Sequence, residues 1–302
     1  NNTTLFSTAG GTNANSGTGV VITVGNTITF PAETGTNISN YNTVLSCLAD
    51  GGATANTLSG TNGQLSNTLV IGAGDSGKAI VCTYTNTRIA QTLTLGKQWT
   101  NAVNGHTATV TTTGGTNNPT ISSTATGGSS NTTGTAVTVY AGDVITLPTE
   151  TFGGGASAAQ YNTTVACTGG STLASGATGR TLTISNSTTP TTCTYTNSRI
   201  AQSIRVDKQW TNSVTGHTAS VTTTGGTNNP TFSSTAPTNT TGTAVTVYAG
   251  DVVTLPAETF GGGGSAIGYN TTVACTGGST LASGTTGRTL TITNSTTATI
   301  CT

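Results

Sequence analysis

The chain contains the stretch Cys82-Thr-Tyr-Thr-Asn-Thr-Arg-Ile-Ala-Gln-Thr-Leu-Thr-Leu-Gly-Lys-Gln-Trp99, which returns almost letter for letter as Cys193-Thr-Tyr-Thr-Asn-Ser-Arg-Ile-Ala-Gln-Ser-Ile-Arg-Val-Asp-Lys-Gln-Trp210. The two copies lie 111 residues apart. Near-identical copies at the spacing of a whole domain indicate a tandem domain array. Because solenoid repeats are far shorter, each copy is expected to belong to a domain with its own hydrophobic core.

Residue types alternate along this stretch as they do along β-strands, where successive side chains point to opposite faces. Tyr195 and Asn197 share one face before the Arg-Ile-Ala-Gln link, and Lys208 and Trp210 share one face after it. The earlier copy places Lys97 in the same way. We therefore predict two strands, the last of one domain and the first of the next, each with a polar residue on an otherwise apolar face.

The composition favours strands over helices throughout the chain. The 302 residues include 42 Gly and only 5% charged residues, whereas an average globular chain is about a quarter charged. Thr suits strands, and Gly, Asn and Ser suit turns. Low-complexity disorder is the alternative for such a composition, but it would lack the alternating apolar residues and the fixed Cys and Trp positions. The predicted fold class is all-β, with three tandem β-sandwich domains in a stiff linear array.

The repeat pattern predicts three domains, called here the first, second and third repeat. The first repeat, 1–87, is divergent and lacks its first strands; the second, 88–198, is complete; the third, 199–302, lacks its last strand. Each contains a strand–turn–strand segment that ends in Glu. These aligned segments are 20–33, 137–150 and 245–258.

The sequence starts and ends part-way through a repeat. Residues 1–5 align with 228–232, and Thr302 aligns with Thr194. Two explanations are open: the sequence is a window on a longer chain, or it is a subunit whose open edges are filled by strands of its neighbours. Both predict a head-to-tail fibre in which the chain contacts copies of itself, and the second predicts contact by strand exchange.

Cysteine occurs as one pair per predicted domain, without the Cys-x-x-Cys spacing of zinc or redox motifs. We predict three disulfides within domains and hence an oxidising, extracellular or bacterial cell-surface location. Buried free thiols are the alternative. The predicted pairs are Cys47–Cys82, Cys167–Cys193 and Cys275–Cys301.

Charge and motif content argue against several functions. Eight Lys and Arg balance eight Asp and Glu, so no basic patch for nucleic acid is expected, and no apolar run is long enough for membrane insertion. The only histidines, His106 and His217, are interpreted as residues that flank turns. No nucleophile–base–acid set is present. We predict a protein that is not an enzyme and needs no cofactor and no metal.

Lys97, Glu150 and Asn197 form one set in the second repeat, in the contexts Leu-Thr-Leu-Gly-Lys97, Leu147-Pro-Thr-Glu150-Thr and Tyr195-Thr-Asn197. These motifs resemble bacterial surface proteins built from tandem prealbumin-like (CnaB/SpaA-type) or Ig-like β-sandwich repeats. The repeat is also similar to long secreted repeat proteins of Gram-negative bacteria. The resemblance implies that Lys97 and Asn197 can join in an autocatalytic isopeptide bond, with the carboxyl of Glu150 as proton shuttle.

The expected position of the Lys97 amine is the core of the second repeat, near Glu150 and Asn197. An unpaired buried ammonium would be too costly. An ion pair with Glu150 adds little net stability, and a covalent amide removes the charge. A cysteine pair in each domain departs from the usual isopeptide-bearing pattern and makes a second crosslink less necessary. The sequence leaves both alternatives for Lys97 open, the ion pair and the isopeptide bond.

The leading functional hypothesis is a structural, non-enzymatic segment of an extracellular bacterial fibre, sheath or surface stalk. Low charge, disulfides and short junctions between repeats suit mechanical and proteolytic endurance. The alternative is an adhesin module whose loops recognise a surface glycan or a host protein. That function would need an aromatic loop cluster, whereas Trp99 and Trp210 are both predicted on core faces.

Overall fold

The structure is a computed structural model, and it describes residues 16–50, 52–61 and 67–302. The predicted alignment of residues 1–5 with 228–232 lies outside the described residues. The chain divides into two compact units. The first comprises the described residues up to Gln91 with Thr138–Asp143 and Thr183–Thr188, and the second comprises Thr92–Val137, Val144–Leu182 and Thr189–Thr302.

Strands account for nearly all the regular structure that is described. In the first repeat the strands are β1 Thr27–Phe30, β2 Tyr41–Ala49, β3 Gly52–Thr61, β4 Asn67–Val70 and β5 Ile80–Arg88. In the second repeat they are β6 Ala90–Ala102, β7 Thr107–Thr111, β8 Thr120–Thr124, β9 Gly128–Thr133, β10 Val137–Tyr140, β11 Val144–Leu147, β12 Thr151–Gly153, β13 Tyr161–Gly169, β14 Leu173–Gly176, β15 Arg180–Thr183 and β16 Thr191–Arg199. In the third repeat they are β17 Ala201–Val206, β18 Thr218–Thr222, β19 Thr231–Thr235, β20 Val245–Tyr248, β21 Val252–Leu255, β22 Thr259–Gly261, β23 Thr272–Gly277, β24 Leu281–Thr285, β25 Arg288–Thr291 and β26 Thr299–Cys301.

Helical structure among the described residues is limited to single turns of 3-10 helix. These turns are Ile38–Asn40, Ala73–Asp75 and Ala158–Gln160. No helix in the described part of the chain has the length and apolarity needed to cross a membrane. The prediction of an all-β fold is confirmed.

The first unit contains a three-stranded sheet in the order β3–β2–β5 and a pair formed by β1 and β4. Strands β2 and β5 run antiparallel with Cys47 opposite Cys82. Its core packs around Leu45 in one cluster and around Leu69 and Ile71 in another. The alternation of apolar and polar residues along β2 explains which of its side chains are buried.

In the second repeat, strands β6, β16, β13 and β14 lie side by side in that order, and β9 pairs with β6. Strand β16 pairs antiparallel with β13 and parallel with β6. A second sheet has the order β12–β7–β8. Every second residue of β16, from Thr191 to Arg199, is buried, as the alternation in the sequence predicts.

The third repeat has the same topology, with sheets in the orders β20–β17–β26–β23–β24 and β19–β18–β22 and a pair formed by β21 and β25. Its core joins the sheets: Ile204 of β17, Val221 of β18 and Leu255 of β21 belong to one buried cluster. Strand β26 lies between β17 and β23, as β16 lies between β6 and β13. The tandem arrangement therefore reflects one fold used repeatedly.

Candidate functional site

The Lys97 side chain lies in the interior of the second repeat. It projects from β6, and its Nζ is 3.0 Å from Glu150 Oε1, with the two side chains 1% and 0% exposed. The same Nζ lies 4.5 Å from the centre of the Trp99 ring. A Lys and a Glu that are both removed from water form an ion pair whose desolvation cost offsets most of the attraction.

Asn197 lies on β16, the strand that runs parallel to β6. The register pairs Tyr195 with Lys97 and Asn197 with Trp99, so Lys97 and Asn197 are two residues apart on the same face of adjacent strands. Asn197 is fully buried. Among the described residues, neither polar atom of its side chain has a hydrogen-bond partner. Such an orphaned buried amide costs about 1–3 kcal/mol and calls for an explanation.

Burial also changes the acid–base properties of the set. Desolvation lowers the pKa of Lys97 to about 8, although the negative charge of Glu150 opposes this shift. At pH 7 a group with this pKa is neutral in about a tenth of the molecules. Burial and the nearby Glu150 charge raise the pKa of Tyr195, so its hydroxyl stays protonated and donates to the carbonyl oxygen of Pro148 at 3.0 Å. The lowered pKa thus gives a fraction of the molecules a neutral Lys97 amine at physiological pH.

The third repeat contains a second pair of the same kind. Lys208 Nζ lies 2.8 Å from Glu258 Oε1 and 4.5 Å from the centre of the Trp210 ring. These side chains are 14% and 6% exposed, more than Lys97 and Glu150. The sequence analysis placed Lys208 on the expected strand face and Glu258 in the aligned segment but did not pair them. The repeat alignment was the signal that could have found the pair.

The described residues of the first repeat include the Glu and Asn positions of this set. Tyr84 donates to the carbonyl oxygen of Pro31 at 2.9 Å, as Tyr195 does in the second repeat. Asn86, however, is exposed, and its Oδ1 accepts from Thr43 at 2.6 Å. One carboxylate oxygen of Glu33 is buried without a hydrogen-bond partner among the described residues.

The geometry of the second repeat suits amide formation between side chains. An amine with a lowered pKa, a buried carboxyl group and a buried primary amide lie on the first and last strands of one sheet and in the segment that faces them. An amine can attack an amide carbon when a neighbouring carboxyl group carries the proton to the leaving nitrogen. Because these side chains are buried, the surrounding protein keeps bulk water, and with it hydrolysis, away from the reacting groups.

A family model described as a prealbumin-like fold domain, of the SpaA type, matches residues 1–88 and again 92–199. The chain belongs to the SpaA-type prealbumin-like family. A comparison with curated proteins finds no match. SpaA-type domains are typically structural domains without enzymatic activity. The resemblance stated from the sequence motifs is thereby confirmed, and with it the tandem arrangement of the fold.

Each repeat contains one disulfide, at an equivalent position. Cys167 and Cys193 face each other on β13 and β16, and Cys275 and Cys301 face each other on β23 and β26. The three bonded pairs are Cys47–Cys82, Cys167–Cys193 and Cys275–Cys301. Each joins neighbouring strands of one sheet, and in the first and second repeats one of the two cysteines lies on the strand that carries Tyr-Thr-Asn.

An aromatic cluster around Tyr161 is a feature that the sequence analysis missed. Trp99 meets the Tyr161 ring edge to face, and Phe152 stacks on it. His106 flanks a turn as expected, but its Nδ1 also lies 2.7 Å from the Tyr161 hydroxyl, and its side chain is buried. The third repeat reproduces the cluster around Tyr269. The recurring spacing of these residues was the available signal.

The described residues offer no cluster of three His, Cys, Asp or Glu side chains that could hold a metal ion.

Proposed function

We propose that the protein is a structural, non-enzymatic segment of an extracellular bacterial fibre, sheath or surface stalk, assembled head to tail. One observation carries the proposal: Lys97 and Glu150 are fully buried beside Asn197, whose amide has no partner among the described residues. The set links the first and last strands of the second repeat, β6 and β16. A covalent bond there would close the repeat against pulling forces.

The proposed bond is an isopeptide formed without external reagents. The neutral Lys97 Nζ attacks Cγ of Asn197, Glu150 takes the proton from the attacking nitrogen and passes it to the amide nitrogen, and ammonia leaves. One N–C bond forms and one breaks, so no oxidant or reductant is needed. The product removes the buried charge on Lys97 and the unpaired amide nitrogen of Asn197 together.

Intact mass and force measurements test this proposal. We expect a mass lower than that of the sequence with its three disulfides by one ammonia, and restoration of the full mass in Lys97→Met and Glu150→Gln. Pulling single molecules should leave the chain between Lys97 and Asn197 unextended, whereas Lys97→Met should extend it. The crosslink would be refuted by a mass that is not lowered by one ammonia, together with extension under force of the chain between Lys97 and Asn197.

Assembly has its own test. We expect purified chains to associate end to end in a concentration-dependent way, visible as thin filaments by electron microscopy, with strand-level contact between successive copies. The alternative function, an adhesin that grips a glycan or a host protein, is less favoured because Trp99 and Trp210 are both buried. Chains that stay single at every concentration but bind host surfaces would favour the adhesin.

A further inference from the structure

Tyr195 links the elements that carry Lys97, Glu150 and Asn197. Its side chain is fully buried. Its register partner on the neighbouring strand β6 is Lys97, and Asn197 follows two residues later on the same face of β16. The Tyr195 hydroxyl donates to the carbonyl oxygen of Pro148 at 3.0 Å, two residues before Glu150. One side chain therefore adjoins the strands of the amine and the amide and is bonded to the segment of the carboxyl group.

The segment that carries Glu150 belongs to no strand. Strand β11 ends at Leu147 and β12 begins at Thr151, so residues 148–150 lie between them. The first of the three is a proline, which has no N–H group to donate. Apart from the Lys97 amine, no group among the described residues donates a hydrogen bond to either carboxylate oxygen of Glu150. The position of the carboxyl group therefore depends on how the backbone of this segment is held.

The Tyr195 hydroxyl holds this backbone through a contact that phenylalanine could not make. Burial, and to a lesser extent the Glu150 charge, raises the pKa of Tyr195, so the hydroxyl remains a donor in neutral and mildly alkaline solution. The first repeat contains the same contact, in which Tyr84 donates to the carbonyl oxygen of Pro31 at 2.9 Å. Tyr84 is only partly buried. Its hydrogen bond is a matched control, because it lies in a different repeat from Lys97 and Asn197.

We propose that Tyr195 is a positioning residue of this site, whose hydroxyl holds residues 148–150 so that the Glu150 carboxyl group meets the Lys97 amine. The consequence for amide formation rests on the crosslink proposed above. Tyr195 itself transfers no proton. Its effect passes through Glu150, which takes the proton from the attacking nitrogen and delivers it to the leaving one. A displaced carboxyl group slows this step, because proton transfer requires hydrogen-bond distance.

The position of the carboxyl group also sets the charge state of Lys97. Desolvation lowers the pKa of Lys97 to about 8, and the Glu150 charge opposes that shift. If the carboxyl group moves away, the opposing effect is lost and the pKa of Lys97 falls further. A change that weakens the packing but leaves the carboxyl group in place does not alter this pKa. The pKa of Lys97 therefore distinguishes a positioning role of Tyr195 from a purely structural one.

The rate of amide formation gives the first test. The full chain is synthesised in a cell-free system under oxidising conditions, and its intact mass is measured at successive times. Tyr195→Phe keeps the buried ring and removes only the hydroxyl, and we expect it to slow the loss of ammonia by at least about tenfold. Tyr84→Phe, which removes the equivalent bond to Pro31, should leave the rate unchanged. Equal rates in the wild-type chain and Tyr195→Phe, or equal slowing by both variants, would overturn the inference.

Titration of Lys97 gives a second test that needs no crosslink. Asn197→Ala cannot form the amide, and NMR of the Lys97 Cε signal follows the free amine in that variant. We expect a midpoint near pH 8, lowered by about 1 pH unit or more on adding Tyr195→Phe and unchanged on adding Tyr84→Phe. An unchanged midpoint with Tyr195→Phe would overturn the positioning role. A wild-type chain that never loses ammonia would instead count against the proposed crosslink alone, since this titration still decides the role of Tyr195.

Discussion

Arg199 Nη2 lies 2.7 Å from Asp251 Oδ1, and the two side chains are only 4% and 8% exposed. The pair joins the end of the second repeat to the turn before β21 in the third. Arg199 also donates to the carbonyl oxygen of Ala249 at 2.9 Å and stacks over the Tyr248 ring. The first unit contains the same arrangement, in which Arg88 Nη2 lies 2.5 Å from Asp143 Oδ1. An Arg–Asp pair with a buried Asp thus recurs at both positions, although the Arg88 side chain is 36% exposed.

The carboxylate of Asp251 accepts hydrogen bonds from several groups. Its carboxylate accepts from the backbone N–H groups of Thr227 at 2.9 Å and Tyr248 at 3.1 Å, in addition to Arg199. Burial alone would raise the pKa of Asp251, but these hydrogen bonds together lower it below its ordinary value. The contact therefore depends on an ionised Asp251, and its contribution to stability is present at neutral pH and lost only in acid.

The first prediction concerns this pair. Replacing Arg199 with Ala leaves the Asp251 charge buried without its main partner, and we expect the free energy of unfolding to fall by about 3–5 kcal/mol. The matched control is Arg205→Ala, because Arg205 pairs with Asp207 at 3.2 Å but is 36% exposed. That change should cost about 0–1 kcal/mol. Urea titrations of both variants measure the difference; equal losses would contradict the prediction.

The second prediction is a loss of stability in mild acid caused by His106. Burial, with a smaller effect of the Arg199 charge, lowers the pKa of His106. The unfolded chain, with a His pKa of about 6.5, therefore binds the proton more readily than the folded chain. The stabilising contribution is complete above that pH and is lost as the pH falls towards the lower folded value. Protonation also prevents Nδ1 from accepting a hydrogen bond from Tyr161.

Urea midpoints measured between pH 5 and pH 8 test this expectation. We expect the midpoint to fall as the pH drops below about 6.5. His106→Gln should flatten that part of the curve, whereas His217→Gln should leave the contribution of His106 in place. A wild-type midpoint that does not change over this range would mean that the pKa of His106 is the same in the folded and unfolded chain, and would contradict the prediction.

Most of the fold could be predicted from the sequence because period-two alternation and internal repetition are local signals. Strand β16 shows this best: every second residue is buried, and the alternation of Cys193, Tyr195 and Asn197 predicts it. The burial of Lys97 beside a partner followed from the same alternation of residues. The alternation places Lys97 on an apolar strand face, where a polar residue needs a partner. The assignment of 1–87, 88–198 and 199–302 as three separate domains stays a prediction.

The features that sequence reasoning missed depend on distant contacts. The Arg199–Asp251 pair spans 52 residues, and the contact between His106 and Tyr161 spans 55. Neither separation follows from strand periodicity, since it depends on which loops meet at the end of a sheet. Repetition could have drawn attention to both, because Arg88 and Asp143 recur as Arg199 and Asp251 in aligned positions. It would not have shown that the partners touch.

The third prediction concerns the disulfide between Cys167 and Cys193, which closes 26 residues. A loop of this length restricts the unfolded chain, and removing the bond should lower the free energy of unfolding by about 3–4 kcal/mol. The double variant Cys167→Ser with Cys193→Ser, compared with the wild-type chain in urea, measures the effect. An unchanged midpoint would mean that the cystine contributes nothing to the stability of the second repeat.

The last prediction uses alkaline pH to distinguish an ion pair from an amide at Lys97. With a free amine, the folded pKa of about 8 lies below the unfolded value of about 10.4, so the unfolded chain binds more protons between these values. The free energy of unfolding should then rise with pH from about 8, by up to about 1.4 kcal/mol for each pH unit. An amide has no proton to lose, and its stability should not change over this range.

We expect the wild-type chain to show no such rise between pH 8 and about 9.5, below the pH at which unfolded Tyr ionises. Asn197→Ala, which cannot form the amide and keeps the amine, should show the rise, and adding Lys97→Met should abolish it. Trp99 fluorescence in a Trp210→Phe background reports the unfolding of the second repeat. A rise in the wild-type chain as steep as that in Asn197→Ala would establish the ion pair as the native state of Lys97, because only an uncrosslinked amine can release the proton.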